Sequence, residues 1–308
     1  MHKLKKTLIR IYEDVFHPEL QFVSTKKREK LLKDFYKEKT GKDLDLKKPV
    51  LFTEKLQWMK LYFNQPEMKQ CVDKYLFKKY IEDKIGGGYT AKIIDVWESP
   101  NDVCIDKIPY EKFVLKSTLQ SDGIFIIPVE NKDKIDVPTI ESEIKEKWFN
   151  TRLLLTNSFC SAYYGAKPRV IVEEFIEEFA GSANDYKVFC FSGVPKFFYV
   201  AEDHFKGGEN SITYPITFFD LDWKVMNVKY GEHRCNPNVQ EPFHKTQMVE
   251  LAKKLSKDFP FVRVDFFDTK EKLYLAELTF YPGGGLTAYY PIEFDKEMGA
   301  LLELANMH

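Results

Sequence analysis

The stretch RVDFFDTKEKLYLAELTFYPGGG, residues 263–285, has the pattern of a β-hairpin with charged residues set among apolar ones. Arg263 and Asp265 alternate with apolar residues in its first half, and Glu277 and Thr279 do so in its second half. Alternate residues of a strand share a face, so each half has one polar face and one apolar face. Because charge is expensive to bury, the polar face predicts either a ligand site or a solvent-exposed surface.

A three-residue turn near TKE pairs the two strands so that their apolar residues share a face. That apolar face is predicted to comprise Val262, Val264, Phe266, Tyr274, Ala276, Leu278 and Phe280. The two carboxylates on the other face repel each other unless a cation lies between them. Carboxylate oxygens suit Mg²⁺, which binds one or two protein carboxylates together with water and phosphates. The plainer alternative is an exposed hairpin face with an Arg–Glu cross-strand pair, and the spacing alone leaves both open.

The length and composition predict an ordered protein of more than one lobe with small-molecule partners. The chain has 308 residues, among them 26 Phe and 17 Tyr, and can bury a large core. Its 46 Lys and Arg against 47 Asp and Glu leave a formal net charge of -1. A nearly neutral chain has no long-range attraction for nucleic acid, so we expect no nucleic-acid partner.

The cysteines and the N-terminus favour a cytoplasmic protein. The cysteines are odd in number, widely spaced and without a CxxC motif, which fits neither a disulfide framework nor a zinc site: Cys71, Cys104, Cys160, Cys190 and Cys235. The basic N-terminus lacks the apolar run of a signal peptide or a transmembrane segment. Residues 4–15 do have helical apolar spacing, which is compatible with peripheral membrane contact or with docking on the protein itself.

The apolar spacing predicts helices first and strands later. Residues 1–85 are predicted to be largely helical, with one helix ending at Gly41, one capped by Thr53, and one over residues 71–83 ending at Gly86. The strands predicted after them are 113–116, 124–129, 169–176, 185–193, 194–202 and 217–225, with helices over 139–149 and 244–259.

Further candidate residues lie upstream of the hairpin: Lys74, Lys116, Glu173, Glu174, Ile176, Asp185 and Lys187. A lone lysine is more often a solvated surface charge than a ligand group. Glu173 and Glu174 close a strand whose backbone amides, as far as Ile176, could meet an adenine edge, although an ordinary strand end has the same pattern. Asp185 and Lys187 alternate onto one strand face, where they could equally form a surface salt bridge.

Taken in order, six segments resemble the ATP-grasp superfamily, and specifically the TupA-like ATP-grasp family, named for a teichuronopeptide biosynthesis protein. The segments are VDKY (72–75), FVLK (113–116), VEEFI (172–176), DYKVFCFSGVPKF (185–197), LSKDFPFVRVDFF (255–267) and LAELTFYPG (275–283). The resemblance implies an α/β (α+β) ATP-grasp fold, in which two α+β lobes grip ATP between antiparallel sheets after an N-terminal helical region. It implies a helical region at 1–70, a small lobe with a phosphate-covering hairpin at 71–175, and a large lobe with the metal site at 176–308.

The resemblance also implies a role for each candidate residue. Those matched to ATP binding are Lys74 and Lys116 for the phosphates, Glu173, Glu174 and Ile176 near adenine, and Asp185 near the ribose. Arg263 matches the arginine that steadies the transferring phosphoryl group, and Lys187 a basic residue directed toward phosphate or substrate. Asp265, Glu277 and Thr279 match the Mg²⁺ ligands.

The chain departs from the family pattern at three places. The segment STLQSDG after Lys116 has only Gly123 where a glycine-rich turn usually covers the phosphates. Thr279 stands where most ATP-grasp enzymes have asparagine, and the helical N-terminus differs from the α/β domain that usually precedes the grasp. The departures therefore concern the phosphate cover, the metal site and the region that usually helps to bind substrate.

The resemblance implies an ATP- and Mg²⁺-dependent carboxylate–amine ligase that works through an acyl phosphate. Its partners would be a small-molecule or glycan-linked carboxylate and an amine, with amide formation on a uronic acid or amino acid in capsular or other surface polysaccharide biosynthesis. A small-molecule kinase and a catalytically impaired nucleotide-binding protein are the alternatives, because both would keep the same ATP site.

Overall fold

The fold combines seven α-helices with three antiparallel sheets in the parts of the chain that the computed structural model describes, residues 20–120, 125–150, 159–179, 184–202 and 214–304. The helices are α1 (Thr25–Thr40), α2 (Phe52–Tyr62), α3 (Pro66–Val72), α4 (Lys74–Ile85), α5 (Val137–Glu143), α6 (Lys245–Ser256) and α7 (Ile292–Leu301). A π-helical turn, Ile144–Trp148, continues α5. None of the helices in these residues is long and apolar enough to cross a membrane.

Eleven strands lie in the described residues: β1 (Ile93–Trp97), β2 (Phe113–Ser117), β3 (Ile126–Val129), β4 (Val170–Glu174), β5 (Asp185–Phe191), β6 (Val194–Ala201), β7 (Ile216–Asp220), β8 (Lys229–Tyr230), β9 (Phe261–Asp268), β10 (Leu273–Thr279) and β11 (Tyr289–Tyr290). The small sheet has the order β1-β4-β2-β3, and the large sheet has the order β10-β9-β5-β6-β7. Strands β11 and β8 form a two-stranded ribbon. The strands pair antiparallel throughout these sheets, as the fold prediction requires.

Each of the two larger sheets has its own hydrophobic core. Trp97, Trp148 and Phe113 are buried around the small sheet, whereas Phe52 and Phe77 belong to the core around the large sheet. The helices that carry Phe52 and Phe77 precede both sheets in the chain, yet they pack against the large one. The lobe boundaries at residues 70 and 175 stay predictions.

The predicted helix ends agree with the structure in two cases and differ in two. Gly41 ends α1 in the left-handed conformation, with φ of 69°, and Gly86 follows α4. The predicted cap at Thr53 is wrong, because the hydroxyl group of Thr53 donates to Asp295 and Leu51 is the residue that precedes the helix. The single helix predicted over residues 71–83 is two helices, since Asp73 interrupts the run and caps α4.

The hairpin prediction is confirmed for the polar face and wrong for part of the apolar face. Glu277 pairs with Asp265, and Thr279 pairs with Arg263, so the four polar residues lie together as predicted. The turn between the strands has four residues, 269–272, rather than the predicted three. A β-bulge between Leu275 and Glu277 shifts the alternation of β10 by one residue. The buried apolar residues along β10 and just beyond it are therefore Leu273, Leu275, Leu278 and Phe280. Leu278 and Phe280 were predicted correctly, whereas Tyr274 and Ala276 were predicted in place of Leu273 and Leu275.

Two predicted features lie outside the described residues in whole or in part. The amphipathic segment 4–15 is one of them. Gly123, in the segment that departs from the family's glycine-rich turn, is the other, whereas Ser117 and Thr118 at the start of that segment are described and fully buried.

Candidate active site

A row of charged side chains crosses three neighbouring strands of the large sheet. Lys187 on β5 pairs with Asp265 on β9, which pairs on its other side with Glu277 on β10. Asp265 is completely buried, and Lys187 is only 7% exposed. The antiparallel register thus brings together residues that are up to 90 positions apart in the sequence (277 minus 187).

Two cations neutralise the buried Asp265 carboxylate. Arg263 Nε donates to Oδ1 at 2.7 Å, and Lys187 Nζ donates to Oδ2 at 2.9 Å. Lys187 Nζ also donates to Asp185 Oδ2 at 2.9 Å. Burial alone would lower the pKa of Lys187, but Asp185 and Asp265 outweigh burial and raise it, so Lys187 is a fixed positive charge rather than a proton acceptor.

Glu277 and Thr279 form the open end of the row. Thr279 Oγ1 donates to Glu277 Oε1 at 2.8 Å and accepts from Arg263 Nη2 at 3.0 Å. The Glu277 side chain is 41% exposed, in contrast to the enclosed Asp265. Burial would raise the pKa of Glu277, but Arg263, Lys187 and Lys74 outweigh burial and lower it, so Glu277 is ionised at neutral pH.

The three predicted metal ligands fit Mg²⁺ in donor chemistry, because two carboxylates and a hydroxyl group are hard oxygen donors. Arg263 bridges the two carboxylates, which lets the charged row stay buried without an ion. In the described part of the chain no group of three or more His, Cys, Asp or Glu side chains could hold a metal ion. Asp265, Glu277 and Thr279 are the residues that would hold a Mg²⁺ ion.

A second charged cluster lies on the small sheet, around Glu173. Lys116 Nζ lies 2.7 Å from Glu173 Oε2, and Lys78 Nζ lies 2.8 Å from Oε1. Burial would raise the pKa of Glu173, but the two lysines outweigh burial and lower it to about 2. The adjacent Glu174 points elsewhere and accepts from the backbone N–H of Lys92, so Glu173 is the glutamate of the charged cluster.

Lys74 lies between the two clusters. Its Nζ donates to the backbone oxygen of Gln120 at 2.7 Å. Burial lowers its pKa, and Glu277 of the hairpin and Lys116 of the small sheet both act on it electrostatically. Lys74 is thus within electrostatic reach of one candidate residue from each sheet.

The structure places the remaining predicted residue, Ile176, just after β4, where its backbone oxygen accepts from the N–H of Phe179. That contact forms a turn and says nothing about adenine. The binding and catalytic roles of all eleven candidate residues stay predictions, although ten of them are now placed in defined polar contacts.

Sequence reasoning missed two residues that support α4. Asp73 caps this helix by accepting from the N–H groups of Tyr75 and Leu76, and its other oxygen lies 3.1 Å from Arg169 Nη1. Sequence reasoning also missed Lys78, one helical turn after Lys74. Lysines four residues apart lie on the same face of a helix, so the spacing from Lys74 could have indicated Lys78. No sequence pattern relates Asp73 to Arg169, because the two residues are far apart in the chain.

Helix α2 holds the glycine segment that follows the hairpin. Gln57 Nε2 donates to the backbone oxygens of Gly284 and Gly285 at 2.9 and 2.8 Å, and Lys60 Nζ donates to Gly284 at 2.6 Å. A Cβ on Gly285 would lie 2.5 Å from Gln57 Nε2, so only glycine allows this approach. Burial lowers the pKa of Lys60 to about 8.

A family model described as TupA-like ATP-grasp matches residues 54–303, which is most of the chain. No curated protein matches it significantly in sequence. Among solved structures, the D-alanine–D-alanine ligase of Helicobacter pylori is similar with 18% identity over 76% of this chain and 61% of that chain, at a TM-score of 0.45. The ATP complex of the Bacillus anthracis D-alanine–D-alanine ligase has 14% identity over 74% and 62%, at 0.43. This chain thus spans less than two thirds of the length of either ligase.

Proposed function

The chain belongs to the TupA-like ATP-grasp family, a group of ATP-grasp ligases that use ATP with Mg²⁺, and from this premise we propose that it is a carboxylate–amine ligase. It would form an amide on a uronic acid or an amino acid of a capsular or other surface polysaccharide. The observation that carries the proposal is the charged row of Lys187, Asp265 and Glu277 on neighbouring strands, with Arg263 donating to Asp265.

The reaction proceeds in two steps. A carboxylate oxygen of the first substrate attacks the γ-phosphorus of ATP, the bond from phosphorus to the β,γ-bridging oxygen breaks, and ADP leaves. The amine nitrogen then attacks the carbonyl carbon of the acyl phosphate, orthophosphate leaves, and the amine loses a proton. Mg²⁺ supplies charge neutralisation between the phosphate oxygens when it is bound.

The residues of the chain contribute position and charge. Lys74 and Lys116 lie on the small-sheet side, where they hold phosphate oxygens in the proposed site. Arg263 and Lys187 remain cationic throughout, since carboxylates contact both of them. Preorganised charge of this kind stabilises a transferring phosphoryl group without a covalent nucleophile.

Two alternatives share this site. A kinase would use the same charged region to pass the phosphoryl group to a hydroxyl group, and an impaired protein would bind ATP and stop there. The chain's departure from the family pattern at the segment after Lys116 is the feature that favours the impaired protein.

The deciding experiment measures ADP and orthophosphate release with MgATP across a matrix of uronic acids and amino acids crossed with small amines. We expect release of both products only when a carboxylate and an amine are present. Phosphorylated substrate without orthophosphate would identify a kinase, and bound ATP without turnover would identify an impaired protein. Lys116→Met should weaken ATP binding about tenfold, whereas Lys134→Met, at an exposed position beyond β3, should not.

A further inference from the structure

The ribbon of β8 and β11 has one buried face and one exposed face. Tyr230 and Tyr289 are cross-strand partners and are 8% and 2% exposed, with ring centroids 5.0 Å apart. Their neighbours Lys229 and Tyr290 are also partners, and they face outward. The Tyr290 ring is 50% exposed, and the Lys229 side chain is 52% exposed. The ribbon thus presents an aromatic ring and an ammonium group side by side.

This exposed face borders a groove of about 910 Å³, which we call the ribbon groove, lined by residues 225–229, 232–235 and 290–291. A volume of this size suits a ligand larger than a single small metabolite. Its charged lining residues in the described part of the chain are Lys229, Arg234 and Glu232. Lys229 Nζ and Glu232 Oε2 are 3.7 Å apart and exposed, so their pairing is weak.

Aromatic rings connect the ribbon groove to the candidate active site. The ring of His233 stacks on Tyr230 with centroids 6.1 Å apart, and Tyr230 contacts Tyr199 at 5.6 Å. The guanidinium carbon of Arg263 lies 5.8 Å from the centroid of the Tyr199 ring. Two aromatic rings therefore separate the wall of the groove from the arginine of the charged row. Both rings are buried, so a ligand in the groove does not touch Arg263.

We propose that the ribbon groove binds the non-reacting, anionic sugar unit of a glycan acceptor, an inference that rests on the proposed function and names its substrate class. The Tyr290 ring packs against the C–H face of a pyranose, and Lys229 pairs with the carboxylate of the sugar. An aromatic face beside a cation recognises these two halves of a uronic acid together.

The location gives the groove a defined role in the reaction. Binding energy from a remote part of a substrate can be used to position its reacting end. An acceptor of several sugar units would reach from the ribbon groove to the charged row, whereas a single uronic acid would fill only one of the two places. The chain is therefore selective for oligomers over monomers.

The test is direct binding of tetragalacturonic acid, measured by calorimetry without ATP, against the neutral maltotetraose and against galacturonic acid. We expect the anionic tetramer to bind at least ten times more tightly than either of the other two. Lys229→Glu and Tyr290→Ala should each weaken that binding at least tenfold. Lys224→Glu and Tyr110→Ala are the matched controls, because both residues are exposed and neither lines the groove.

Equal affinity for the charged and neutral tetramers, no binding of the anionic tetramer, or unchanged binding by Lys229→Glu would each overturn the proposal. Lys229→Glu alters an exposed side chain, so it keeps the test valid if Tyr290→Ala does not fold. The affinity of every variant for MgATP is measured separately. If the wild-type protein does not bind MgATP, the proposed ligase function is contradicted. If it binds MgATP but not the anionic tetramer, only the proposed sugar site in the ribbon groove is contradicted.

Discussion

Asp265 shows how a buried carboxylate can be tolerated before any ligand arrives. Its two oxygens accept from Arg263 and Lys187, and the side chain is completely buried. Breaking a buried ion pair by removing one partner costs about 3 to 5 kcal/mol, because the other charge stays buried. The same contacts fix the position of the Arg263 guanidinium group beside Asp265.

Glu277→Gln should lower kcat about 100-fold or more while leaving the melting temperature within a few degrees of wild type. The change removes the negative charge at the open end of the row and alters the side-chain volume little. Turnover and thermal unfolding are measured on the same preparation. Glu271→Gln, at an exposed position in the hairpin turn, is the control. Wild-type turnover by Glu277→Gln would rule out its assignment as a metal ligand.

Lys60 should make the stability of the protein depend on pH in the alkaline range. Its pKa falls from 10.5 to about 8 in the folded state because of burial. Between these pH values the unfolded chain binds more protons at this lysine, so its contribution to stability rises with pH. The stability of wild type relative to Lys60→Met should increase by up to about 1.4 kcal/mol per pH unit in this window.

Chemical unfolding at pH 7.5, 8.5 and 9.5 measures the Lys60 effect. Lys33→Met removes an exposed lysine and should show a constant difference from wild type at all three values. A constant difference for Lys60→Met as well would mean that its amino group keeps its ordinary affinity for protons when folded.

Helix α4 is the element that brings Lys74 and Lys78 to the small sheet. Asp73 caps the first turn of the helix, and Arg169 forms an ion pair with Asp73. The backbone N–H of Lys74 donates to the oxygen of Thr118, which ties the start of the helix to the end of β2. The position of both lysines therefore depends on a cap and an ion pair that do not touch nucleotide in the proposed site.

Asp73→Ala should destabilise the protein by about 1 to 3 kcal/mol and weaken ATP binding several-fold, because it removes the cap and leaves Arg169 without this partner. Asp136→Ala removes a comparable cap from α5, at an exposed position. It should lower stability without changing nucleotide affinity. Equal ATP affinity for wild type and Asp73→Ala would mean that the helix cap does not influence nucleotide binding.

The hairpin of β9 and β10 illustrates what alternation can and cannot predict. Alternation predicts that Arg263, Asp265, Glu277 and Thr279 share one face of the hairpin, and they do. Their pairing also depends on the bulge near Ala276, which alternation does not predict. The bulge is favoured because it places Leu273 and Leu275 on the buried apolar face while Glu277 stays on the polar face.

At the scale of the whole molecule, a ligand that binds between the two sheets should stabilise both. A ligand at 100 times its Kd adds about 2.7 kcal/mol to the free energy of unfolding. We therefore expect saturating MgATP to raise the melting temperature by several degrees, in one cooperative transition. Lys116→Met should show a smaller shift at the same ATP concentration. No shift for wild type would contradict a nucleotide site between the sheets.

The sequence by itself determined the properties that are local in the chain. The alternation of the hairpin placed its four polar residues on one face, Gly41 and Gly86 marked helix ends, and the order of the motifs identified the family. These signals are readable because strand alternation and helix capping depend on neighbours within a few residues.

Only the tertiary structure decided which distant residues meet. Lys187 reaches Asp265 because β5, rather than another strand, lies next to β9 in the large sheet. Lys78 reaches Glu173, and Arg169 reaches Asp73, because α4 packs in the core of the large sheet with its first turns beside the small sheet. Burial and charge pairing are properties of these contacts between distant segments, so no local pattern could contain them.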